Sequence, residues 1–231
     1  MRHSLHRGAG LALGRRLGAG HGPWSERLDR LAQPSTKEMT MSKNEIELSP
    51  EEMTKRVARF VDLVPYKDTM NAAHGIDPEA MKMMSSDNVF PVMSPEGWEG
   101  RSKIAPVKGA DGLTVTIAEC PPGDSSGLHK HMATVENFFC IQGTFEITWG
   151  ENGANAIILE PLDFVSVPAG VYREFRNIGT DLGRLFVAIQ CPPGETKDTV
   201  IHAAAAGAEV ERRFGRKTRD AMAGIGIQFG E

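Results

Sequence analysis

The chain has 231 residues, 40% of them hydrophobic, with a formal net charge of −4 and three cysteines. That is enough apolar material for one large core or two small ones, and no apolar run approaches the ~20 residues of a membrane-spanning helix. The mild acidity speaks against nucleic acid as a partner. The odd cysteine count, with Cys120, Cys140 and Cys191 in apolar, strand-like runs, speaks against a disulfide framework and for reduced thiols in a cytoplasmic protein.

Residues 1–40 differ in composition from the rest. Up to Ser25 they carry Arg2, Arg7, Arg15 and Arg16 and no acidic residue. A basic, acid-poor leader of this kind suits an organellar transit peptide. A disordered extension, or a true translation start at Met39 or Met41, is the preferred expectation. His3, His6 and His21 are bystanders on any of these readings.

Helix signals begin at Ser49-Pro50-Glu51-Glu52, where Ser49 suits the cap, Pro50 the first helical position and Glu52 a capping box. With Val57, Phe60, Val61 and Val64 at helical spacing, the pattern predicts a helix from Pro50 to about Leu63, stopped by Pro65. Asp77-Pro78-Glu79 starts a second, short helix through Met84, whose Met81, Met83 and Met84 read as packing residues, with His74 in the loop between. From Gly112 to Gln190 the pattern turns to short strands, such as Leu113–Ala118 and Arg184–Ile189, separated by Gly, Pro and Asn turns. Strands of this length and spacing predict an all-β sandwich or barrel, with Phe138, Phe145, Phe175 and Trp149 as core. Cys-Pro-Pro-Gly occurs at Cys120 and again at Cys191, as expected of two strands that each end in a proline-stopped turn. Ala203 to Phe214 reads as a loop and weak helix, and Arg216 to Arg219 as a solvated, charged face.

The chemistry lies between Gly123 and Gly143. His129 and His131 are separated by one residue, so on a strand they face the same side. Glu136 follows, from a neighbouring strand or further along the same ribbon. Two imidazole nitrogens and a carboxylate oxygen meeting at a point make a transition-metal site.

The spacing Gly123, His129-Lys-His131, Glu136, Gly143 resembles the complete first motif of the cupins, and Asp163, Pro168, Gly170 and Asn177 resemble part of the second. The resemblance spans roughly Leu113 to Gln190. It implies a cupin-like double-stranded β-helix, or jelly-roll, barrel, with an N-terminal helical arm and a C-terminal helical tail added. The expected organisation is an extension over 1–40, arm and linker over 41–100, barrel over 101–195 and tail over 196–231. It further implies one divalent transition metal on His129, His131 and Glu136, with Fe(II) preferred and Mn, Ni or Zn admissible.

Two positions depart from the motif. Leu162 stands where the second motif begins with glycine, and Arg173 stands where it supplies a third histidine. A guanidinium has no lone pair to give a metal. Three outcomes follow. The metal is held by three ligands and Arg173 orients an anionic substrate; or no metal binds and Arg173 pairs with Glu136; or another side chain such as His202 completes the set. The expected function is a metal-dependent, dioxygenase-like enzyme acting on a small anionic molecule, with Arg173 as the catalytic, substrate-orienting residue. The alternative is a non-catalytic cupin that binds or senses a small molecule without metal. A homodimer is expected, through the arm and tail.

Overall fold

The computed structural model describes residues 46–230; the extension expected over 1–40 lies outside the described residues. Residues from Leu48 onward form one compact unit.

Helix α1 (Pro50–Thr54) starts as its sequence predicts. The Ser49 amide donates to the Glu52 carboxylate at 2.8 Å, and the Glu52 amide donates to the Ser49 hydroxyl at 3.2 Å. It stops at Thr54 rather than Leu63, and only a 3-10 turn at Phe60–Asp62 follows. The apolar stripe that predicted the longer helix has little to bury against: Val61 is 90% exposed and Val64 50%. An isolated helix without a packed face does not sustain itself. Pro65 begins a helix instead of ending one. Helix α2 (Tyr66–His74) follows it and closes on Gly75, at φ 63°, so His74 is the last residue of a helix rather than part of a loop. Helix α3 (Pro78–Lys82) is capped by the Asp77 carboxylate and ends two residues before Met84.

Twelve strands follow: β1 (Asn88–Pro95), β2 (Val107–Gly109), β3 (Leu113–Cys120), β4 (His129–His131), β5 (Val135–Gln142), β6 (Phe145–Trp149), β7 (Asn155–Leu159), β8 (Phe164–Val167), β9 (Arg173–Asn177), β10 (Gly183–Gln190), β11 (Val200–His202) and β12 (Ile227–Phe229). A 3-10 turn at Arg101–Ile104 lies between β1 and β2, and helices α4 (Ala204–Phe214) and α5 (Arg216–Gly224) lie between the last two strands. The strands form two six-stranded sheets, ordered β2-β1-β3-β10-β5-β8 and β12-β11-β4-β9-β6-β7. This is the double-sheet jelly-roll. β3 and β10 end where their Cys-Pro-Pro-Gly turns begin, and the three cysteines are free.

Period-two alternation sends Ala118, Phe138, Phe145, Ile147, Phe175, Leu185 and Val187 inward to one core. Trp149, at the end of β6, lies at the surface instead, 36% exposed. A second core joins the helices before β1 to the C-terminal segment. Tyr66, Ala80, Met81 and Met84 from the arm pack with Val210, Met222 and Ile227 from the C-terminal segment. That segment is therefore more than a solvated tail. Its strand β11 pairs antiparallel with β4, setting His202 opposite His129 and Val200 opposite His131.

The motif residues other than the ligands shape turns. Asn177 is fully buried; its amide donates to the Cys120 and Asp181 carbonyls at 2.8 and 2.9 Å, and its side-chain oxygen accepts from Gly179. Gly143 holds φ 92°, and a Cβ there would sit 2.8 Å from the Gly183 backbone. Leu162 takes the left-handed conformation, φ 79°, that its glycine counterpart adopts freely.

Candidate metal centre

His129 and His131 project inward from β4, in the second sheet, and Glu136 projects from β5, in the first. The site is thus made between the two sheets. All three side chains are buried, 6%, 2% and 6% exposed. Their donor atoms lie within 4.8 Å of one another. Glu136 Oε2 is 3.8 Å from His129 Nε2 and 3.5 Å from His131 Nε2. Ligands about 2.1 Å from a shared ion lie roughly 3.0–3.4 Å apart, so a small inward movement brings these atoms to bonding distance.

The imidazoles are oriented from behind. His129 Nδ1 donates to the Gly127 carbonyl at 2.8 Å. His131 Nδ1 lies 2.5 Å from the Asp198 carboxylate and 3.0 Å from the Thr134 hydroxyl, which itself donates to Asp198 at 3.1 Å. With a proton held on each Nδ1, both Nε2 lone pairs are left to face Glu136. Carbonyl and carboxylate groups behind ligating histidines perform this service in metal sites generally. Burial drives the His129 value down and keeps the ring neutral, as ligation needs. Burial alone raises a carboxyl group, but the His131 and His129 rings and the Arg173 guanidinium around it outweigh burial and hold Glu136 well below the usual carboxylate range. The donor set therefore fits a divalent transition metal.

Arg173 is opposite His129 in the β4–β9 pairing and has no exposed surface. Its Nε donates to Glu136 Oε2 at 2.9 Å and its Nη1 to the Val171 carbonyl at 3.1 Å, while its Nη2 is buried without a hydrogen-bond partner. A carboxylate has enough lone pairs to serve both a guanidinium and a cation. Tyr172 faces the other way, with the Lys130 ammonium 4.7 Å from its ring centroid.

His202 flanks His129 on the opposite side from Arg173. Its ring centroid lies 5.3 Å from that of His129, as close as the 5.2 Å between His129 and His131. It is 1% exposed, and neither ring nitrogen has a hydrogen-bond partner. Burial drives its value well below that of a free histidine. His202 is not part of the converging three-donor group.

The site opens on a cavity of about 90 Å³ inside the barrel. Its apolar wall includes Val89, Phe175, Val187 and Ile189, and its polar lining includes Arg101, Ser102, Thr116, Ser126 and Asp198. Asp198 and Arg101 carry no local motif. They are brought in by β11 pairing with β4 and by the 3-10 turn after β1, and only the hydroxyl-rich alternation Thr114, Thr116 on β3 hinted at a polar interior.

The match to one family model agrees with this architecture. The family described as "Cupin domain" matches residues 116–189. No curated protein matches the chain. Among solved structures, the cupin domain of Cnp3 from Schizosaccharomyces pombe is 21% identical over 46% of this chain and 65% of its own, with a TM-score of 0.34. A predicted oxalate decarboxylase from Thermotoga maritima is 23% identical over 34% of this chain and 66% of its own, with a TM-score of 0.32. The chain thus spans just under two thirds of each of these two. BH2720 from Bacillus halodurans is 21% identical over 45% of this chain and 80% of its own, with a TM-score of 0.36. Residues 116–189 hold most of β3 and β10 and all the strands between them, with both histidines and the glutamate, and this part of the chain is a cupin domain.

Proposed function

We propose that this cupin binds one divalent transition metal on His129, His131 and Glu136 and acts as a dioxygenase-like enzyme on a small anionic organic molecule. The observation that carries the reading is the tethering of both Nδ1 atoms, which leaves two Nε2 lone pairs and a carboxylate facing one another. A bound ion with two-histidine, one-carboxylate ligation supplies open positions for Lewis-acid or redox chemistry, Fe(II) being the preferred ion. The chain's own residues do the rest. The Thr134 hydroxyl, itself donating to Asp198, sits at His131 Nδ1 and favours a proton there, and the apolar wall excludes water from the reacting groups. Arg173 steadies Glu136 from within the wall; it does not line the cavity, so its part is to hold that carboxylate in place rather than to touch the substrate. Association as a homodimer is part of the proposal. Phe164, Phe139, Phe186, Ile117 and Phe90 are register partners in a row across the outer face of the first sheet, and a second copy would cover the exposed ones.

A second reading, a metal-free cupin that binds or senses a small molecule, is favoured by one observation: the Arg173–Glu136 ion pair already neutralises the carboxylate. Metal content of untagged protein from metal-replete growth separates the two. The enzyme reading expects close to one equivalent per chain in the wild type and a large loss in His131→Ala; a wild type below about a fifth of an equivalent would end it. Arg173→His is expected to hold the metal more tightly, since it exchanges a repelling cation for a nitrogen donor.

A further inference from the structure

Arg101 lines the same cavity as the two histidines and Glu136, but it comes from outside the motif region, in the 3-10 turn between β1 and β2. It is half-buried, and its guanidinium sits 5.8 Å from the ring centroid of Tyr66. No carboxylate among the described residues forms an ion pair with it. Its charge is felt as far as His202, where it opposes protonation. Arg173 differs: it is tied to Glu136 and Val171 and does not line the cavity.

The charges around the cavity point the same way. Glu136 and Asp198 are matched in number by Arg173 and Arg101, so the walls are balanced while the imidazoles are neutral. A divalent ion on the histidines then adds charge that no protein group cancels. Unbalanced charge in a poorly solvated site is costly, and an anionic ligand removes it. Arg101 is the cavity-lining cation with which no carboxylate among the described residues forms an ion pair, and a guanidinium's fork of N–H donors matches a carboxylate bidentately. The cavity limits the ligand's size, since about 90 Å³ suits a small organic acid and not a nucleotide or an oligosaccharide.

We infer that Arg101 is the recognition residue for the carboxylate of a small organic acid in the barrel cavity. It is a specificity-determining group, supplied by the segment that precedes the cupin motifs. The inference rests on the proposed reading that the cavity holds a small anion, and it deepens that reading by naming the residue and the ligand's charged group.

The test is calorimetric titration of full-length protein with propionate, and with propionamide as its neutral isostere, in the wild type, Arg101→Met and Arg101→Gln. Metal per chain and the thermal midpoint are measured on every sample, and whichever variant folds suffices. Wild type is expected to prefer propionate at least tenfold. The variants are expected to keep their metal and to lose that preference while retaining the weak affinity for the amide. A variant that prefers propionate as strongly as wild type would overturn the inference, as would a wild type that does not distinguish acid from amide. Metal content reads the metal proposal separately: a metal-free wild type whose propionate preference still depends on Arg101 would sink that proposal and leave this inference standing.

Discussion

The balance of the site is set by one atom pair. Glu136 Oε2 accepts from Arg173 Nε at 2.9 Å, inside a wall where Arg173 has no exposed surface. Removing one partner of a buried pair leaves a charge with neither water nor counter-ion, which costs about 3–5 kcal/mol, whereas replacing both with apolar groups is often neutral. In metal-stripped protein, Glu136→Ala is therefore expected to lower unfolding stability by about 3–5 kcal/mol, and Glu136→Ala combined with Arg173→Leu to restore most of it. Denaturant titration of the single and double variants checks this, and strictly additive losses would show the pair to be uncoupled. At this scale the sequence was partly readable. His129 and His131 stand out because a strand's period is two, and Glu136 because a carboxylate follows them closely. Asp198, Arg101 and the exposure of His202 to His129 do not, because pairing between distant segments brings them there and leaves no local spacing to read. Arg173 is legible as an anomaly, since a cation stands where a lone pair is expected, and Glu136 is among the partners the sequence offers it; which of those arrangements forms is decided only once both sheets are in place.

At the scale of elements, the strands from Leu113 to Gln190 follow their alternation closely, because each buries one face and the period alone decides which. The helices follow less well. The stripe Val57, Phe60, Val61, Val64 has helical spacing but little surface to cover, Phe60 meeting Phe90 while Val61 and Val64 stay exposed, whereas α2 has a buried end, Tyr66, and forms where the sequence pattern showed nothing. Burial partners, not periodicity, separate the two cases, and for the arm these partners come from residues more than a hundred positions away. The turn before β8 carries a local cost of its own. Leu162 holds φ 79° with its side chain 76% exposed, so it gains little packing for a conformation that strains an L-residue by roughly 1–2 kcal/mol. Leu162→Gly is expected to raise stability by up to about 1 kcal/mol, the relief being partly offset by glycine's greater freedom when unfolded. A lower denaturation midpoint in that variant would mean that the leucine side chain contributes contacts outweighing its strain.

For the whole molecule, burial of neutral imidazoles links stability to pH. The values of His129 and His202 are lowered in the folded state, while a histidine in the unfolded chain titrates near 6.5. Below about pH 6.5 the unfolded chain takes up protons that the native protein refuses, so stability is full above that pH and declines as the pH falls from there toward 5. Glu136 does not contribute in this window, because its lowered value leaves it ionised in both states. Urea denaturation of metal-stripped protein at pH 8, 6.5 and 5 is expected to show a flat upper arm and a falling lower one; stability unchanged or rising down to pH 5 would contradict the neutral assignment. The central claim remains that the barrel grips a cation between its two sheets. Anomalous diffraction from crystals of metal-replete protein tests it most directly. The account predicts one strong peak about 2.0–2.2 Å from Nε2 of His129, Nε2 of His131 and a carboxylate oxygen of Glu136; density with no such peak, and Arg173 still closed on Glu136, would contradict it.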